Sequence, residues 1–209
     1  MIKCGSFVWL IQRSSCRSAG DLGYSKETNA LAEAIGEEIA LRGGITVYGA
    51  GAFLADHPRA TLFHTSLLSN FLSEKDCDSL STAAARGAKR HSGLTIGVTY
   101  GKGKDIWDKD GNTDVVIVTG LERGGGREFV LINSCDAVIA IAGGSGTLTE
   151  LAIAYQSDIP MVGLTGVGGW SEKLAGEFMD GRNRRRILAA ATAKEAVDLA
   201  FREALAKSQ

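Results

Sequence analysis

A chain of 209 residues suits one domain, and a composition of 44% hydrophobic and 22% charged residues excludes disorder and supports a sizeable core. A net charge of −1 speaks against a general nucleic-acid binder, which carries a clear basic excess. The four cysteines (Cys4, Cys16, Cys77 and Cys135) and three histidines show neither C-x-x-C nor zinc spacing, so reduced thiols and no metal are expected. The N-terminal apolar run is too short to span a membrane, and a cytoplasmic protein without membrane partners is expected.

In chain order, residues 6–11 (SFVWLI) read as a strand buried on both faces. After a polar loop, a helix starts at Ser25, carries Leu31, Ala34, Ile35, Ile39 and Leu41 at helical spacing, and stops at Gly43-Gly44. Residues 45–48 (ITVY) form the second strand and run into Gly49-Ala50-Gly51, where backbone can approach a ligand closely. A helical insertion is expected near 52–85, with Phe53, Phe63, Leu68 and Phe71 among its apolar residues, and another helix over 83–90. Strands follow at 94–99 (LTIGVT) and 115–119 (VVIVT), separated by a polar Gly-Lys-Asp loop. Three glycines, 124–126, precede a helix over 127–134; residues 137–142 (AVIAIA) are the fifth strand, and 146–156 the next helix. A sixth strand at 161–164, a helix from about Ser171, a short strand at 187–190 and an amphipathic helix over 193–205 complete the chain. The run Arg182-Asn183-Arg184-Arg185-Arg186 reads as a solvated loop, with a phosphate-rim or nucleic-acid contact as the lesser alternative.

Short apolar strands alternating with helices predict a Rossmann-like, doubly wound, mostly parallel sheet with helices on both faces, one nucleotide-binding domain over 1–209. Such sheets bind ligands at the carboxyl ends of their strands. The turns after strands one, two and five are therefore the candidates, with Ser15, Gly49 and Gly51 in the first two.

The fifth turn carries the strongest motif. The strand AVIAIA feeds Gly143-Gly144-Ser145-Gly146-Thr147, and a helix opens there. Amides at a helix start lack internal partners and bear partial positive charge, glycines let a phosphate approach them, and Ser145 and Thr147 add hydroxyls. The block is neither G-x-G-x-x-G nor a P-loop, because the lysine of G-K-[ST] is missing. Glu150 has two readings: the last member of a Thr147-x-x-Glu150 capping box, or a carboxylate in the pocket that binds ribose hydroxyls or stabilises a cationic ribosyl centre. Arg127 likewise reads as an exposed residue at a helix start, unfavourable beside the dipole, or as a ligand for phosphate or ribose oxygens.

Arg127, Asp136 and the block GGSGTLTE at 143–150 resemble, in identity and spacing, the signature of the LONELY GUY family. YGAG at 48–51, ARGAKRHSGLTIGV at 85–98 and AKEAVDLA at 193–200 extend the likeness more weakly over nearly the whole chain. The resemblance implies cleavage of the N-glycosidic bond of nucleoside 5′-monophosphates, Arg127 and Glu150 as catalytic residues, Gly143, Gly144, Gly146 and Thr147 at the phosphate, and a homodimer. It implies no cofactor, and no pyridoxal-phosphate lysine context supports lysine decarboxylation. The chain departs from the pattern at Ala142, where the family has proline, at Glu128, where active relatives have lysine, and in the insertion after Gly51. A related branch is similar to molybdenum-cofactor carriers, which bind a phosphorylated pterin without hydrolysing it. A non-catalytic carrier is thus the alternative function, and a nucleotide-sensing module a third. The expected partner in each case is a nucleoside monophosphate or a related phosphorylated small molecule, not nucleic acid.

Overall fold

The apolar runs form strands that all point the same way. In the computed structural model, which describes residues 7–11, 25–50, 80–99, 111–121 and 126–207, the strands are β1 (Phe7–Ile11), β2 (Ile45–Gly49), β3 (Leu94–Thr99), β4 (Val115–Val118), β5 (Ala137–Ala140), β6 (Met161–Leu164) and β7 (Leu188–Ala190). They make one parallel sheet in the order β4-β3-β2-β1-β5-β6-β7. Phe7 of β1 is in register with Ile45 of β2, and Val8 with Ala137 of β5. The chain works outward from β1 to the β4 edge, returns, and works outward again from β5. The strand order therefore reverses between β1 and β5, where doubly wound sheets open their ligand crevice.

Helices α1 (Lys26–Leu41), α2 (Leu80–Arg90) and α6 (Ala193–Lys207) cover one face; α3 (Gly126–Asn133) and α4 (Ser145–Gln156) cover the other, and α5 (Gly169–Leu174) follows β6. Strand alternation assigns the sides. Ala137 and Ile139 join Ile35, Ile39, Val197 and Ala200 in one core, whereas Val138 and Ala140 join Leu131, Ile132, Leu151 and Ala154 in the other. Ser25 caps α1, its hydroxyl accepting from the Thr28 amide at 3.1 Å.

The expected elements and the observed ones agree closely, with one informative difference. The fifth strand stops at Ala140 instead of continuing to 142, because Ala142 adopts φ 52 and leaves the ladder. Residues 80–90 form α2, the crossover between β2 and β3; the remainder of the expected insertion lies outside the described residues. Among the described residues no helix is long and apolar enough to cross a membrane.

Candidate ligand site at the glycine turn

β5 ends in the switch-point crevice, and the turn that follows is shaped by backbone conformation. Ala142 (φ 52) and Gly143 (φ 94) are both left-handed, and Gly144 is extended (φ −99, ψ −150) as the N-cap of α4. Gly143 has a second reason to be glycine: a Cβ built on it would overlap Oγ1 of Thr147. No side chain caps α4 and no acidic residue sits in its first turn. The first closing bond of the helix runs from the Leu148 amide to the Gly144 carbonyl at 3.2 Å. The amides of Ser145, Gly146 and Thr147 therefore precede the helical ladder, at the positive end of the macrodipole.

The carbonyls of the turn are used from the other side. Trp170 donates its amide to the Gly143 carbonyl at 2.9 Å, and Ser171 donates to that of Ala142 at 3.0 Å. Gly169 (φ 67) lies so close to the Ala142–Gly143 peptide that any side chain there would overlap it. The start of α5 thus braces the turn with its carbonyls engaged. Sequence reasoning missed this brace, although the Gly168-Gly169 pair directly before a helix was its local signal.

Thr147 is 1% exposed, and among the described residues its Oγ1 has no hydrogen-bond partner. Burying a hydroxyl unpaired is costly, and this one lies beside a helix start that has no side-chain cap. Glu150 stands three residues further on, hence on the same side of α4, and is 5% exposed. The capping-box reading of Thr147 and Glu150 is overturned: Gly144 is the N-cap, and both residues lie inside the helix.

Arg127 is the second residue of α3, which begins at the same end of the sheet. The reading of it as an exposed arginine is also overturned, since it is 1% exposed. Its guanidinium lies against Gly49 at the end of β2, where a Cβ would overlap Nη1. Nη2 donates to Oε1 of Glu128 at 2.9 Å, an ion pair in which both side chains are 2% exposed. Among the described residues Nε and Nη1 have no hydrogen-bond partner. Arg127 is thus a buried guanidinium with one nitrogen tied to Glu128 and two nitrogens open, on the face that carries α4.

The structure therefore brings the glycine turn, Thr147 and Glu150 together on α4, and Arg127 together with Gly49 on the neighbouring α3 and β2. Asp136, part of the sequence signature, is exposed just before β5, at the opposite end of the sheet. Ser15 and Gly51 lie outside the described residues.

A model of the SLOG cluster4 family matches residues 77–197, more than half of the chain. An uncharacterized protein of Archaeoglobus fulgidus is 36% identical over 74 residues, which span 35% of this chain and 46% of that relative. The solved structure of TM1055 is similar at a TM-score of 0.71 and 21% identity, covering 94% of this chain and 99% of that one. The molybdenum cofactor carrier protein of Chlamydomonas reinhardtii is similar at 0.67 and 23% identity (97% and 99% covered). The molybdenum cofactor binding protein of Rippkaea orientalis is similar at 0.66 and 22% identity (99% and 98% covered). At these identities the structural likenesses establish a shared fold.

Proposed function

The chain belongs to the SLOG cluster4 family, and we propose that its glycine turn binds the phosphate of a nucleoside 5′-monophosphate whose N-glycosidic bond the site hydrolyses. The observation that carries this reading is the pairing on α4 of a buried Thr147 hydroxyl without a partner and, one turn on, a buried Glu150. The open amides of 145–147 and Thr147 Oγ1 hold the phosphate. Nε and Nη1 of Arg127 donate to ligand oxygens. Breaking the ribosyl–base bond sends its electron pair to the base and builds oxocarbenium character at C1′, as in glycoside hydrolysis. The Glu150 carboxylate stabilises that cation, water adds to C1′ to complete ribose 5-phosphate, and the proton that the water loses ends on the departing base. Anchoring the phosphate fixes C1′ relative to the carboxylate, which is the positioning share of catalysis.

A second reading, a non-catalytic carrier of a phosphorylated heterocycle such as the molybdenum cofactor, is favoured by the Arg127–Glu128 pair. Glu128 already occupies Nη2 and offsets the buried positive charge that would otherwise serve the ligand. The solved structures named for that cofactor add support through a fold shared over nearly the whole chain.

The test measures free base released from a panel of nucleoside 5′-monophosphates by wild type and by Glu150→Ala. Release by wild type that falls roughly a hundredfold or more in the variant is expected, the range found when one electrostatic stabiliser of a transition state is removed. Thermal stabilisation by nucleotides with no base released from any of them would sink the hydrolase for that panel and leave the carrier.

A further inference from the structure

Arg127 and Glu128 are consecutive residues in the first turn of α3, and both side chains are 2% exposed. Consecutive helical residues point about 100° apart, so they do not face each other by default. Here both turn inward, and Nη2 of Arg127 donates to Oε1 of Glu128 at 2.9 Å. A buried ion pair brings little stability by itself, because desolvation of both charges offsets their attraction. An arginine placed there for structure alone would also have its remaining donors bonded, yet among the described residues Nε and Nη1 have no hydrogen-bond partner. The pair therefore has a task that packing does not account for.

Which nitrogen is tied decides what the others can do. A guanidinium presents two forks of parallel N–H groups, one formed by Nε with Nη2 and the other by Nη1 with Nη2, and an oxyanion is held best across a fork. Both forks run through Nη2, the nitrogen that Glu128 holds. A phosphate seated on either one would share that nitrogen with a buried carboxylate and meet its charge. An uncharged oxygen on Nε or on Nη1 meets no such conflict. Gly49 keeps the guanidinium in place from the other side, since its missing side chain leaves the space that Nη1 fills.

Arg127 also stands away from the glycine turn. Its guanidinium lies at the end of β2, and β1 separates β2 from β5. Two strand spacings are about 10 Å, so a ligand anchored by its phosphate at the turn would reach Arg127 with its sugar or base.

We propose that Glu128 is a specificity-determining residue: it reserves Arg127 for uncharged ligand oxygens and turns away a second phosphate. The site then takes nucleotides phosphorylated at the 5′ position alone and rejects those that also carry a phosphate on the ribose ring. The placement of the ligand rests on the glycine-turn reading; the selection rests on the geometry of the buried pair.

Two titrations of the full chain test this. AMP and adenosine 3′,5′-bisphosphate are compared by calorimetry. The Nε–H signal of Arg127, assigned by its loss in Arg127→Lys, is followed by ¹⁵N NMR as inorganic phosphate is added. Wild type is expected to bind AMP roughly tenfold or more tightly than the bisphosphate, the scale of a like-charge contact in a binding site, and its Nε signal should ignore inorganic phosphate. In Glu128→Gln, which keeps an acceptor for Nη2 and removes the charge, the preference should vanish or reverse, and inorganic phosphate should shift the signal saturably. Were that variant not to fold, the two wild-type measurements decide. A bisphosphate bound by wild type as tightly as AMP, a preference unchanged in Glu128→Gln, or a wild-type Nε signal that follows inorganic phosphate overturns the proposal. If neither nucleotide binds, the glycine-turn reading fails and the phosphate titration decides alone. A shift confined to Glu128→Gln then upholds the role of Glu128, and a shift in both proteins or in neither overturns it.

Discussion

Ala142 shows how a single residue shapes the turn. Its φ of 52 lies in the left-handed region, where an L residue with a side chain is strained by about 1–2 kcal/mol. The related signature has proline here, yet proline fixes φ near −65° and cannot take this conformation. Ala142→Gly relieves the strain but removes a fully buried methyl, a loss of about 0.8 kcal/mol. The two effects nearly cancel, and urea unfolding should place this variant within about 1 kcal/mol of wild type. Ala142→Pro, which restores the family residue, should instead cost about 3 kcal/mol or more. A proline variant as stable as wild type would mean that the turn readily adopts another entry. The same locality decides what was legible in the candidate site. The glycines, Thr147, Glu150 and Arg127 were all identifiable from spacing. Their surroundings were not, because the niche of Arg127 is made by the missing side chain of Gly49, 78 positions away in the chain. Likewise Thr147-x-x-Glu150 matches a capping box in pattern, and only the extended backbone of Gly144 shows that the helix begins earlier.

Among the described elements, α1 and α2 share the most extensive packing, and two glycines allow it. A Cβ on Gly36 of α1 would overlap the Ala84 carbonyl of α2, and one on Gly87 of α2 would overlap the Glu33 carbonyl of α1. Both obstacles are backbone, so no rotamer change relieves them. Arg86 adds an ion pair to Glu33 at 3.2 Å across the seam, and Arg90 one to Glu37 at 3.0 Å. Helix propensity alone favours Gly87→Ala by about 1 kcal/mol. Overpacking against backbone acts the other way and typically costs about 1–3 kcal/mol. Gly87→Ala should therefore lower the midpoint of thermal unfolding, and a rise would show that the helices separate freely. The extents of α1 and α2 follow from apolar periodicity and the Ser25 cap, so they could be read along the chain. That they meet backbone to backbone depends on two glycines that, in sequence, only weaken a helical pattern. The end of β5 was overextended for a related reason: Ile141 and Ala142 continue the apolar run and remain fully buried, but the turn conformation at Ala142 removes them from the ladder.

For the molecule as a whole, the titrating groups set opposite limits on stability in acid and in base. Partial burial pulls the Asp114 carboxyl upward, but its bonds to Lys89 at 2.6 Å and to the amide and hydroxyl of Thr95 outweigh that and hold it below the usual carboxylate range. Arg185 likewise holds Asp158 low. A carboxyl depressed by folding contributes stability that is present above its unfolded value, about 3.9, and is lost as pH falls toward the folded one. Cys135 acts in the other direction. Burial, reinforced by the charge of Asp136, pushes its thiol well up. The unfolded thiol ionises near 8.5 while the folded one stays protonated, so stability is full below about pH 8.5 and declines as pH rises further. Unfolding free energy measured by urea from pH 3 to pH 10 should thus fall at both ends. In Asp114→Asn the acid limb should become shallower and the alkaline limb stay unchanged. In Cys135→Ala the alkaline limb should flatten, whatever constant loss the smaller side chain brings at neutral pH. An alkaline limb equally steep with and without the thiol would show that another group unfolds the protein in base.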